Sequence, residues 1–403
     1  MNNPDYIAAP HSAAPAGLPI GPAFPWLAPL AGYSDLPFRL LCREFGASVA
    51  CTEMVSAKGL VLGQSKKSNA TNELLATWPP LERPVRCKSA PAAIPGPGPS
   101  LGPIAQDTPL VVQLFGAEAP FMEEAVRILV DSGYEWFDCN MGCSVPKVLK
   151  SGSGAAMLSA PENAIAVAEA MIRAAGPGKV GFKLRLGRDA GEETYLQLGK
   201  RLADAGAGWL TLNPRYAKQK FSGVAEWNAV QPLVDSVPVP VMVSGDLFTA
   251  VDGVRALAAS GCAGAMFARG AMHNPAIFGQ FSDMLKHGGP GVSSPRFAEA
   301  ERLELLIRRH AALIRAFYPE RRNRQGLESG LLKMRTFVPR YVKECAGARF
   351  LRRSMAQCRT WEEMDDLLDE FFAHAANLEL SGEQPGDLSG DQLGNQPGEP
   401  DNV

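Results

Sequence analysis

Along the first two thirds of the chain, short apolar and β-branched runs alternate with longer segments of helical spacing. The runs fall at 26–30, 49–53, 110–114, 136–140, 180–184, 209–213, 239–243 and 264–268. Between them, segments such as 121–132, 161–175, 194–205 and 250–260 place apolar residues three and four apart and end near glycine, as helices tend to. Eight strand–helix units in about 250 residues predict an α/β fold, a (β/α)8 TIM barrel over 23–290. A doubly wound open sheet is the alternative, but no GxGxxG follows the first run. After Phe281 only long helical stretches remain, at 298–318, 330–343 and 360–374, which predict a smaller all-helical domain over 296–378.

Three segments interrupt the pattern. Residues 1–22 and the acidic tail 379–403 carry little to pack and are expected to be disordered. Residues 87–108 contain Ala-Ile-Pro-Gly-Pro-Gly-Pro-Ser, which suits neither a helix nor a central strand and reads as a surface insertion in the barrel.

Composition adds limits. With 403 residues, 46% of them hydrophobic, the chain can bury one large core and a second small one. No apolar run is long enough to cross a bilayer, and the start lacks a secretory pattern, so a cytoplasmic monomer without membrane contact is expected. The eight cysteines, at 42, 51, 87, 139, 143, 262, 345 and 358, show no CxxC and no zinc spacing. They read as free thiols, and no metal is expected. The net charge of −2 hides an uneven distribution: residues 302–353 hold fourteen Lys/Arg against four acids. Such a segment can address a polyanion, although a solvated helix face explains it as simply.

A barrel of this kind builds its active site at the C-terminal ends of its strands. In chain order those ends carry Pro29, Leu30 and Ala31; Glu53; Gln113; Asn140 and then Cys143; Lys183 and Arg185; Asn213 and Arg215; Ser244, Gly245 and Asp246; Ala268 and Arg269. Singly, each has an ordinary structural explanation. Together at one rim they form a polar constellation that packing does not require. The glycine-containing turns after strands seven and eight, with Arg269, suit a phosphate, while Gln113 and Lys183 can reach the polar edge of a flat ring. FMN is the economical ligand. Cys143 sits in a polar, glycine-containing loop with no strong base beside it in sequence, so a general acid is favoured over a thiolate nucleophile.

The ordered motifs Leu27-Ala28-Pro29-Leu30-Ala31-Gly32, Thr52-Glu53-Met54-Val55-Ser56-Ala57, Val112-Gln113-Leu114-Phe115-Gly116, Asn140-Met141-Gly142-Cys143, Lys183-Leu184-Arg185-Leu186-Gly187 and Arg269-Gly270 resemble the signature set of the tRNA-dihydrouridine synthases, most nearly the bacterial B type. The resemblance implies FMN contacts from Pro29, Leu30, Ala31, Gln113, Lys183, Asn213, Ser244, Gly245, Asp246, Ala268 and Arg269. It also implies NADPH as reductant and a proton donated by Cys143 to a uracil carbon. The helical domain would bind tRNA, with Glu53, Asn140, Arg185, Arg215 and Arg335 as candidate substrate contacts. The chain departs from the family pattern at Ser144, where proline is usual, at Asn213, where histidine is usual, at Ser244 and Ala268, and at Thr336-Phe337. Two other readings stay open: an FMN barrel reducing a small enone or dihydropyrimidine, and a non-catalytic RNA-binding homologue.

Overall fold

The computed structural model describes residues 14–63, 105–287, 300–318, 322, 326–343, 345 and 347–381. They form two compact units, an α/β unit followed by a helical one. In the first, parallel strands run in chain order: β1 (Trp26–Leu27), β2 (Val49–Cys51), β3 (Val55–Ser56), β4 (Leu110–Phe115), β5 (Trp136–Asn140), β6 (Val180–Arg185), β7 (Trp209–Asn213), β8 (Val241–Ser244) and β9 (Gly264–Phe267). Both β2 and β3 pair with β4, and β1 pairs with β9, so the sheet closes into a barrel of eight staves with β2 and β3 as two pieces of one. Each of the eight runs read from the sequence lies on a stave. Strand β1 is shorter than its run because Pro29 has no N–H for the ladder. The second stave breaks at Thr52, whose hydroxyl, in place of a backbone carbonyl, accepts the Gln113 amide at 3.1 Å. That break turns Glu53 and Met54 toward the C-terminal mouth.

Side chains alternate across each strand, and the first inward layer plugs the floor. Trp26, Trp136, Trp209, Val111, Met242 and Met266 pack there in one cluster, and the Trp26 and Trp209 rings meet edge to face at 5.6 Å. Gly181 makes room for the second indole, since a Cβ at that position would lie 2.0 Å from Trp209. Leu18 and Ile20, 2% and 7% exposed, join the same cluster. This corrects the expectation of disorder for 14–22: two apolar residues in a Pro/Gly-rich stretch cap the barrel bottom. Residues 1–13 lie outside the described set, as does the insertion up to residue 104.

The insertion's last residues are described, and they are anchored. Asp107, 1% exposed, ends a short 3-10 turn and pairs at 2.8 Å with Arg39, itself 2% exposed on the helix Leu36–Glu44. Arg43 stands 3.6 Å from the other carboxylate oxygen and donates to the carbonyls of Asp107 and Ser48. The helices Pro161–Ala175 and Ala250–Ser260 match their sequence spans, and Leu36–Glu44, Ala57–Gly63 and Ile277–Lys286 are further helices of the same unit.

The second unit packs helices Ala300–Phe317, Leu331–Tyr341, Ala348–Met355 and Trp361–Ser381. Phe317, Phe337 and Tyr341 are buried in it. The last helix runs past residue 379, where the tail was expected to start; residues beyond 381 lie outside the described set. Among the described residues no helix is long and apolar enough to cross a membrane.

Candidate active site

Alternation from the floor upward puts Gln113, Asp138, Asn140, Lys183, Arg185, Thr211, Asn213 and Ser244 on the inner face, above the tryptophans. The strands are parallel, so all these ends share one mouth. Register then sets neighbours: Gln113 lies opposite Asp138, Asn140 opposite Lys183, and Arg185 opposite Asn213.

One hydrogen-bonded chain links the interior to the backbone of Cys143. Gln113 Nε2 donates to Asp138 Oδ2 at 2.6 Å, and Gln113 Oε1 accepts from Asn140 Nδ2 at 2.9 Å. Asn140 Oδ1 in turn accepts the backbone amide of Cys143 at 2.9 Å. With both ends of its amide engaged, Asn140 fixes the turn that carries the thiol. The Cys143 carbonyl accepts from Ala155 at 2.9 Å, and the close approach requires glycine next door: a Cβ on Gly154 would stand 2.6 Å from that oxygen.

Cys143 is half-buried. Burial pushes its thiol above the ordinary range, against a hydrogen bond from the Val145 backbone and the positive charges of Arg185 and Lys183. Burial therefore favours the protonated thiol, and the neighbouring cations, which oppose that shift, can stabilise the thiolate left by proton donation. Deeper in, burial raises the Asp138 carboxyl to about 7, opposed by the Gln113 hydrogen bond and Lys183, and burial lowers Lys183 to about 8, opposed by Asp138. Asp138 is a further site residue, below the rim, that the strand ends alone do not show; alternation from Trp136 to Asn140 points it inward.

On the opposite side Asp246 organises two cations. It accepts from Arg215, which is 1% exposed, and from Arg269 at 2.9 Å, while the Ala225 amide donates to it at 2.9 Å. The Arg269 guanidinium lies 4.8 Å from the ring centres of both Phe221 and Phe248. Gly245 and Asp246 both have positive φ, 104° and 53°, and a Cβ on Gly245 would stand 2.7 Å from Asn213 Oδ1. Thr211 Oγ1, Asn213 Oδ1 and Arg215 Nη1 are buried with no hydrogen-bond partner among the described residues. Buried polar groups ordinarily have partners, so these three atoms leave capacity for a polar ligand.

The structure therefore joins Gln113, Asn140 and Cys143 in one network and Arg215, Asp246 and Arg269 in another. Glu53 accepts from the Gly32 amide, which ties the second stave to the turn after Pro29, Leu30 and Ala31. Arg185 reaches only backbone carbonyls in its described hydrogen bonds, and Arg335 belongs to the helical unit, where it donates to Ala356. Ala268 leads directly into the short helix Arg269–His273, so Arg269 starts a helix of five residues and a longer one, Ile277–Lys286, follows. Among the described residues no three His, Cys, Asp or Glu side chains gather as a metal cluster.

The dihydrouridine synthase family model matches residues 26–377, spanning both units. A probable tRNA-dihydrouridine synthase 1 of Synechocystis is 30% identical over 355 residues, covering 86% of each chain. One from Rhodobacter capsulatus is 33% identical, covering 79% of this chain and 86% of its own, and tRNA-dihydrouridine synthase B of Pseudomonas syringae is 28% identical, covering 86% and 90%. A closed parallel barrel with one ordered thiol at its mouth, a helical second unit and a match across both make the conclusion direct: the chain is an enzyme of the dihydrouridine synthase family.

Proposed function

We propose that this protein reduces uridines in tRNA to 5,6-dihydrouridine, with FMN as its cofactor, NADPH as reductant and Cys143 as proton donor, acting as a cytoplasmic monomer. The observation that carries the reading is the thiol itself: half-buried, held protonated, fixed by Asn140 and flanked by cations. The donor set in the mouth fits FMN. Pro29, Leu30 and Ala31 offer a flat apolar edge. Gln113, Lys183 and Asn213 offer polar contacts to a ring and its side chain, and Ser244, Gly245, Asp246, Ala268 and Arg269 surround the place for a phosphate. When bound, FMN supplies the hydride that NADPH renews.

Hydride addition at carbon 6 of uracil leaves negative charge shared between carbon 5 and the carbon 4 oxygen. The Cys143 S–H bond breaks and its proton passes to carbon 5. The resulting thiolate is stabilised by Lys183, Arg185 and the Val145 amide until it is reprotonated from water. A uracil must leave its stack to reach such a mouth, so the RNA needs anchoring elsewhere. In the helical unit, Arg349, Arg352 and Arg353 are exposed beside Phe350, which is 49% exposed, and such a face suits an RNA backbone better than a small enone would require. Part of the remaining basic excess is structural: Arg308 pairs with Glu304 and Asp369, and Arg315 with Asp365.

Purified protein is expected to show a flavin spectrum and, with NADPH, to form dihydrouridine in tRNA that lacks it. A protein that stays colourless after reconstitution, or that leaves such tRNA unchanged, contradicts the proposal. The pH profile carries the next expectation. Lys183 must be an ammonium to hold an anionic partner, and burial lowers it against the opposing pull of Asp138, so turnover should fall on the alkaline side as Lys183 loses its proton. The Cys143 thiol is shifted upward and stays protonated across the same range. Activity rising with pH between neutrality and 9 would instead indicate a thiolate mechanism.

A further inference from the structure

Arg185 stands on the last position of β6, 4% exposed, where a substrate contact was expected. Its described hydrogen bonds go elsewhere. Nε donates to the carbonyl of Gly142 at 2.9 Å, and Nη1 donates to the carbonyls of Tyr216 at 3.1 Å and Lys220 at 2.7 Å. Gly142 immediately precedes Cys143, while Tyr216 and Lys220 belong to the loop after β7. Lys220 holds a φ of 52°, a left-handed conformation that is costly for lysine, and its carbonyl accepts the shorter of the two Nη1 bonds. Phe221 of that loop lies against the same guanidinium at 5.7 Å.

We infer that Arg185 is a positioning residue for the proposed reaction: it fastens the Cys143 turn to the loop after β7 and so sets where the thiol stands. The planar fork of arginine can donate in two directions at once, toward Gly142 from Nε and toward the second loop from Nη1. Lysine in its place keeps the charge but has one nitrogen on a flexible stem. Asn140 and Ala155 hold the Cys143 peptide from one side, and Arg185 holds the preceding carbonyl from the other. The inference rests on Cys143 being the proton donor only where it concerns turnover; the link between the loops stands apart from it.

The test uses the full-length chain with Arg185→Lys and Arg185→Gln, each checked by thermal melting. Three quantities are read: the alkylation rate of Cys143 by iodoacetamide, followed by peptide mass; tryptic cleavage after Lys220; and kcat and KM for tRNA reduction. In the folded variants cleavage is expected to rise roughly tenfold as the two loops part, and alkylation with it in Arg185→Lys, which keeps the charge beside the thiol. Turnover should drop by about ten- to a hundredfold with KM within about threefold of wild type, the signature of a misplaced catalytic group. Unchanged alkylation and cleavage in both variants overturn the inference. So does a raised KM with kcat preserved, which would make Arg185 a direct substrate contact. If Cys143→Ala kept full activity, the proton-donor reading would fall, while the alkylation and cleavage results would still decide whether Arg185 joins the loops.

Discussion

Replacement of Cys143 by alanine is expected to lower the rate of dihydrouridine formation by roughly 10²–10⁴-fold, the usual contribution of a positioned general acid. Flavin content and melting temperature should stay near wild type, because the thiol lies in a half-buried turn held by main-chain groups. Asn140 binds the backbone amide of residue 143 and Ala155 its carbonyl, and neither bond needs the sulfur. Cys143→Ser is the informative companion. A hydroxyl is a far weaker acid than a thiol, so serine should recover little of the lost rate although it fits the space. Equal rates for wild type and Cys143→Ala, measured in single turnovers with dihydrouridine-free tRNA, would remove Cys143 from the chemistry.

The second large effect lies outside the mouth. Asp107→Ala should destabilise the protein by about 3–5 kcal/mol, the cost of leaving a buried cation without its partner. Arg39, 2% exposed, would keep its bond to the Ser34 carbonyl but lose its counter-charge, and Arg43 would lose its attraction as well. Breaking the exposed Lys58–Glu118 pair, whose side chains are 54% and 56% exposed, should cost under about 1 kcal/mol. Urea denaturation of the two variants side by side checks both values. A loss at Asp107 as small as that at Glu118 would show that water reaches the arginines.

Much of the barrel was legible in the sequence because each stave is a short apolar run with a helix behind it, and buried parallel strands leave that mark. The rim was legible for the same reason: once the runs are counted, the residues that end them must share a mouth. Other features left no periodic trace. The break in the second stave depends on one threonine hydroxyl replacing a carbonyl. The packing of Leu18 and Ile20 was hidden by the prolines and glycines around them. The Arg215–Asp246–Arg269 cluster joins residues 31 and 23 positions apart, a pairing that only the closed barrel creates. Arg185 shows the limit most plainly, since its position at a strand end was readable while its orientation toward three carbonyls was not.

The tryptophan floor has a consequence for traffic. With Trp26, Trp136 and Trp209 filling one end of the barrel, and Leu18 and Ile20 packed into the same cluster, whatever reaches Lys183 or Gln113 arrives and departs by the opening that also carries Cys143. The barrel is a cul-de-sac. On the proposed function, an electron donor and a nucleobase would share that one doorway.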